Sequence, residues 1–188
     1  MRYLLLNQLI RGMMKEANSR LSALVDGLLD WQIEHFIYVP SSHSAPVIRS
    51  LEAKGIPGVM ANREEEAVGI AGGLALTGKR VAMVMQDNGF GNALTALATF
   101  ASSYHIGFPI FANTRGGLGE YNAMIHSISD SAPDLLKKLG IRVENLGISD
   151  SVEVWRSSTT AVSKLAVIQR RPIVTMFESL HPGMETIK

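Results

Sequence analysis

Apolar positions along this chain recur in two rhythms, and the rhythms alternate. From Ser19 to Trp31 they fall at Leu21, Leu24, Val25, Leu28 and Leu29, the spacing of one helix face. Phe36 to Val39 is a short unbroken apolar run closed by Pro40, which reads as a buried strand. Ala45 to Lys54 predicts a second helix, ended by Gly55, and Pro57 to Ala61 a weak strand. A small-residue helix follows and ends near Thr77-Gly78-Lys79. Val81 to Met85 is the clearest strand, apolar at every position. Ala93 to Phe100 predicts a helix, Phe108 to Ala112 a strand, and Asn113 to Ser131 a long Gly-rich and polar loop. The remaining elements are a helix over Ala132 to Leu139, a strand over Ile141 to Leu146, a helix over Ser151 to Gln169 and a strand over Pro172 to Phe177.

Alternation of this kind predicts an α/β fold: a doubly wound, mostly parallel sheet with helices on both faces. Such sheets bind ligands beyond the carboxyl ends of their strands. Three polar loops follow strands and therefore share that edge: Pro40 to Ser44, Gln86 to Asn92 and Asn113 to His126. No repeat or linker divides the chain. The expected organisation is an extension over residues 1–18, one domain over 19–178 and a tail over 179–188.

Composition narrows the class. The 188 residues are 46% hydrophobic and 19% charged, an ordinary globular balance. Net charge is +1 without a basic cluster, which argues against nucleic acid as a partner. The absence of cysteine removes disulfides and thiolate metal sites and fits a cytoplasmic setting. The apolar run from Tyr3 to Ile10 is too short to span a membrane and reads as a docking segment or an extension.

Candidate chemistry centres on Asn62 to Leu76. Glu64, Glu65 and Glu66 open a helix, where the dipole and the free N–H groups favour acidic side chains. Ala67, Gly69, Ala71, Gly72, Gly73 and Ala75 then leave it almost without bulk. Glycine inside a helix costs roughly 1 kcal/mol against alanine. A run of them implies that something large approaches the backbone: another helix, a strand or a ligand. The plainer alternative is a solvated acidic turn before a packed core helix. Gln86 to Asn92 is a second glycine-rich segment, but no Lys-Ser or Lys-Thr follows it and it lacks G-x-G-x-x-G. Taken alone it is either a phosphate cradle or a tight strand-to-helix turn. The five histidines show no metal-ligand spacing; His43 and His126 fall on the ligand edge. No G-x-S-x-G elbow supports a hydrolase.

Val39-Pro40-Ser41-Ser42, Arg63 to Ala71, Met85-Gln86 with Gly89-Phe90-Gly91-Asn92, and Arg115-Gly116 with Gly119-Glu120 occur in that order. The set resembles the pyrimidine-binding domain of thiamine-diphosphate-dependent decarboxylases, nearest to the alpha subunits of the sulfopyruvate and phosphonopyruvate decarboxylase branch. The resemblance runs from about Ser19 to Phe177.

It implies that one glutamate hydrogen-bonds the cofactor's aminopyrimidine ring and favours the tautomer that activates the thiazolium carbon. The family places that glutamate nine residues before the glycine matching Gly73, which is Glu64. Gln86, Gly89, Gly91 and Asn92 match positions near the cofactor ring. Ser42, with His43 beside it, matches the substrate loop, and Arg115 is a candidate for an anionic tail such as a sulfonate or, alternatively, a loop brace. His126 is a candidate proton relay or a surface histidine. Close relatives usually carry Cys where this chain has Ser41, and Asn-Ser where it has Asp87-Asn88, a departure that bears on substrate choice. The family's diphosphate half uses a G-D-G motif that holds magnesium, and none occurs here. The implied partner is a separate beta subunit carrying thiamine diphosphate's diphosphate end and Mg2+, in a homodimer or hetero-oligomer. The rival readings are an acetolactate-synthase-like carboligase subunit and a non-catalytic assembly or regulatory homologue.

Overall fold

The computed structural model describes residues 2–116, 120 and 122–178, with side chains described at 12 and from 15 onward. Six strands form one sheet: β1 (His35–Tyr38), β2 (Gly58–Met60), β3 (Val81–Gln86), β4 (Pro109–Asn113), β5 (Arg142–Leu146) and β6 (Ile173–Phe177). Their order is β2-β1-β3-β4-β6-β5 and every pairing is parallel. The helices are α1 (Arg2–Asp30), α2 (Ala45–Ala53), α3 (Glu64–Leu76), α4 (Phe90–Ala96), α5 (Ala123–Lys138) and α6 (Val152–Gln169). The α/β expectation therefore holds, as a parallel sheet between helical layers.

Strand periodicity sorts the core into two halves. In β3, Val81, Met83 and Met85 pack with Ala67 and Val68 of α3, Phe90 and Ala93 of α4, and Leu136 of α5. Ala82 and Val84 point the other way, into Leu24 and Leu28 of α1, Val47 and Leu51 of α2, and Trp155 of α6. A strand sandwiched on both faces has no polar side to show, which is why β3 reads as a continuous apolar run. Trp155 is fully buried and meets Phe177 edge-on at 6.1 Å between ring centroids.

Three expected boundaries move. The first helix begins at Arg2, not Ser19, and is continuous through the extension. Lys15, Glu16, Asn18 and Ser19 are exposed, so the apolar rhythm breaks there while helix-forming residues carry the backbone through. The helix expected at Ala93 starts at Phe90, after a 3-10 turn over Asp87–Gly89, and continues as a π-helical turn over Leu97–Ser102. The long loop after β4 is shorter than expected, because α5 starts at Ala123 rather than Ala132. Asn122 caps it, its side chain accepting from the Met124 N–H. Serines and an internal Pro133 lower the helical signal there, yet Ile125, Ser129, Ala132 and Leu136 form one buried face. The tail over 179–188, which includes His181, lies outside the described residues.

The order in which strands are added reverses between β1 and β3: β2 lies to one side of β1, and β3 with β4 to the other, all of them parallel. A crevice at the carboxyl ends of β1 and β3 follows from that topology. The loops after β1, β3 and β4 end there.

Candidate active site

Glu64 is the first residue of α3, after Arg63 in extended conformation (φ −142°, ψ 156°). The three glutamates divide the work. Glu66 turns back, its Oε2 accepting the Asn62 N–H at 2.8 Å, which ties down the chain just before the helix. Glu65 is exposed. Glu64 is half-buried, and Asn92 Nδ2 on α4 donates to its Oε2 at 2.8 Å. Its carboxylate lies flush against the 3-10 turn, where a Cβ on Gly89 would sit 2.4 Å from Glu64 Oε1. Gly89 has an ordinary helical φ of −66°, so the glycine serves space rather than an unusual backbone angle.

The glycines of α3 serve two purposes. Gly72 is packed: a Cβ there would meet the Phe100 ring at 2.4 Å. Gly69 and Gly73 have nothing within 4 Å of that position and are exposed, so they leave a bare strip along the helix. A Cβ on Gly91 would meet Ile128 of α5 at an ordinary contact distance, 3.7 Å.

A second cluster forms around Arg115, just after β4. Its Nε donates to Glu120 Oε2 at 2.6 Å and its Nη1 to Gln86 Oε1 at 3.0 Å, at the end of β3. His43 Nδ1 lies 3.4 Å from Arg115 Nη1 and 3.2 Å from Ser42 Oγ. A guanidinium only donates, so in that contact His43 Nδ1 is the acceptor. His126, on the first turn of α5, has Nε2 3.0 Å from the carbonyl oxygen of Glu120 and Nδ1 4.0 Å from Asp130. The structure thus gathers Ser42, His43, Gln86 and Arg115 into one network, with His126 against the Glu120 carbonyl oxygen. Glu64, Gly89 and Asn92 form a neighbouring group, joined to it through Asn88, which accepts from Gln86 Nε2.

Two residues of this network, Glu120 and Asp87, stand in the sequence motifs without an assigned role. Glu120 stands beside Gly119, which lies outside the described residues, and its role as Arg115's counter-ion appears only in three dimensions. Asp87 is 1% exposed and accepts the Arg115 backbone N–H at 2.7 Å and Ser129 Oγ at 2.9 Å. Burial pushes its carboxyl above the usual range, partly offset by those two hydrogen bonds, by the Asn88 N–H and by the Arg115 charge. Asp87 therefore faces inward, stitching the 3-10 turn, the loop after β4 and α5 together.

A surface groove of about 700 Å³ lies elsewhere, between α1 and α6, among Ser19, Asp26, Glu153 and Arg156. Of the two cations that line it, Arg156 is committed, donating to both oxygens of Asp30 at 2.7 and 2.9 Å, and Lys15 is exposed. Among the described residues no group of three or more His, Asp or Glu is placed to hold a metal ion, and no helix is long and apolar enough to cross a membrane.

A family profile described as "Thiamine pyrophosphate enzyme, N-terminal TPP binding domain" matches residues 21–114. The chain is 32% identical to the sulfopyruvate decarboxylase subunit alpha of Methanothermobacter thermautotrophicus over 63% of its own length and 73% of that protein's. It is 34% identical to the protein of that name from Methanocaldococcus jannaschii, over 52% of this chain and 59% of the relative. Among solved structures, a 2-oxoglutarate:ferredoxin oxidoreductase from Magnetococcus marinus shares the fold, with a TM-score of 0.55 at 16% identity, covering 87% of this chain and 28% of that one. Arg115, Glu120 and His126 lie beyond the segment the family profile matches.

Proposed function

The chain belongs to the thiamine pyrophosphate enzymes, and from that membership we propose that it is the pyrimidine-binding alpha subunit of a thiamine-diphosphate-dependent 2-oxo acid decarboxylase. The proposed substrate carries an acidic tail, of the 3-sulfopyruvate or 3-phosphonopyruvate type. The observation that carries the reading is Glu64: a half-buried carboxylate, anchored by Asn92 on one oxygen and seated on a side-chain-free Gly89. Its hydrogen-bond partner among the described residues is an amide, not a cation, so its charge is not already spent.

Those donors and acceptors fit the pyrimidine end of thiamine diphosphate. A carboxylate accepts a ring N–H, and the small Gly89 and the strip at Gly69 and Gly73 leave room for a ring and a neighbouring subunit. When bound, the cofactor supplies a nucleophilic carbon and then an electron sink for the departing carbon dioxide. Glu64 holds and returns a proton at its carboxylate, and Asn92 keeps that carboxylate in one orientation. Ser42, His43 and Gln86 offer hydroxyl, ring and amide groups to the acid, and Arg115 offers the cation its tail needs. His126 is the candidate for moving a proton at the same edge. The sequence has no Gly-Asp-Gly, and the relatives are named as alpha subunits. The diphosphate and Mg2+ are accordingly assigned to a separate beta subunit, in a cytoplasmic hetero-oligomer.

The test is co-expression with the companion subunit, addition of thiamine diphosphate and Mg2+, and measurement of carbon dioxide release from 3-sulfopyruvate, 3-phosphonopyruvate and pyruvate. Release is expected only with both chains. Glu64→Gln is expected to assemble normally and lose about 100-fold or more in turnover, the scale of a positioned acid–base group. Undiminished turnover in that variant refutes the role.

A further inference from the structure

We infer that Glu120 is a specificity-determining residue: as the near-buried counter-ion of Arg115, it sets how strongly the site takes a 2-oxo acid with an anionic rather than a neutral tail. The inference deepens the proposed substrate class and rests on it. The Arg115 and Glu120 side chains are 12% and 5% exposed, and their contact is 2.6 Å. A short contact between full charges with so little water around it is screened less than a surface ion pair, and removing one partner leaves the other charge costly to keep there.

Neither partner swings freely. Arg115 is fixed by Gln86 at Nη1 and by Asp87 at its backbone N–H. Glu120 Oε1 accepts the Asn122 N–H at 2.8 Å, and its carbonyl oxygen meets His126 Nε2 at 3.0 Å. A sulfonate or phosphonate seeks the same fork of N–H donors as a carboxylate. It therefore competes with Glu120 for Arg115, whereas a neutral tail does not. Neutralising Glu120 removes the carboxylate paired with the guanidinium and leaves Asp87, which is held by the Arg115 backbone N–H; an anionic tail is then the group that can take the vacated donor.

The experiment compares Glu120→Gln with wild type in the assembled complex, reading kcat/KM for 3-sulfopyruvate over that for pyruvate. The ratio is expected to rise by about tenfold or more, carried by KM rather than kcat. An unchanged or lowered ratio overturns the inference. The paired variant Arg115→Gln/Glu120→Gln removes both charges and is expected to lose the preference for the anionic tail; a paired variant that behaves like Glu120→Gln also overturns it. Calorimetric binding of sulfoacetate and of acetate to the full chain gives a readout independent of turnover, with the sulfoacetate preference expected to rise in Glu120→Gln and an unchanged preference counting against the inference. If the wild-type complex decarboxylates neither acid, the decarboxylase reading fails, while the sulfoacetate titration still decides the role of the pair.

Discussion

The Glu64 carboxylate occupies the space that a side chain on Gly89 would fill: a Cβ there would lie 2.4 Å from Glu64 Oε1 and 2.5 Å from its Cγ. A glycine 25 residues downstream thereby fixes where an acidic group on another helix sits.

Gly89→Ala separates position from fold. The atoms it would strike are the far end of a flexible side chain, so Glu64 yields and stability changes by less than about 1 kcal/mol. The displaced carboxylate leaves Asn92 and loses its proposed alignment. Decarboxylation by the assembled complex is expected to fall at least about tenfold, with an unchanged thermal midpoint. A large drop in midpoint would show that Gly89 serves the core instead.

Asp87 should be visible in the pH dependence of stability. Burial holds its folded carboxyl above 3.8, so between that value and the raised one the folded chain binds more protons than the unfolded. Its contribution is therefore largest at low pH and declines as pH rises through that window. In urea unfolding at stepped pH, Asp87→Asn is expected to lack this slope and to gain relative to wild type as pH rises. Asp87→Ala strips the acceptor from Arg115 N and Ser129 Oγ and is expected to cost about 2–3 kcal/mol.

Glu34 has the opposite sign. The Arg80 backbone N–H, then the Lys79 ammonium, hold its carboxyl down at about 2 against 4.5. Its contribution is fully present above 4.5 and is lost as pH falls through about 2. Glu34→Gln is expected to flatten acid unfolding in that interval and to leave stability above pH 5 less favourable by a constant amount. An unaltered acid limb would place the effect elsewhere.

The bare strip on α3 predicts a split between folding and assembly. Gly69→Ala and Gly73→Ala meet no atom within 4 Å and should stabilise the isolated chain by up to about 1 kcal/mol each, through helix propensity. If a companion subunit uses that strip, the same variants weaken co-purification. Gly72→Ala instead drives into the Phe100 ring and is expected to destabilise the chain itself. Thermal melts of the chain alone, set beside pull-down yield, separate the two.

The layered architecture is readable from residue order, because burial on one or both faces writes its period directly into it. β3 is apolar at Val81, Ala82, Met83, Val84 and Met85 since both of its faces are covered. Residue order also exposed the acidic opening of α3 and the loops on the ligand edge. It misplaced the starts of α1, α4 and α5, where polar, glycine or proline residues mask a helix that packing and capping complete. The partners that the polar groups take are set by the fold. Glu64 meets Asn92 across 28 residues, Asp87 meets Ser129 across 42, and Arg115 spans 72 residues to His43. Short-range hydrogen bonds and ion pairs depend on distances set by the whole sheet, and no local pattern along the chain encodes them.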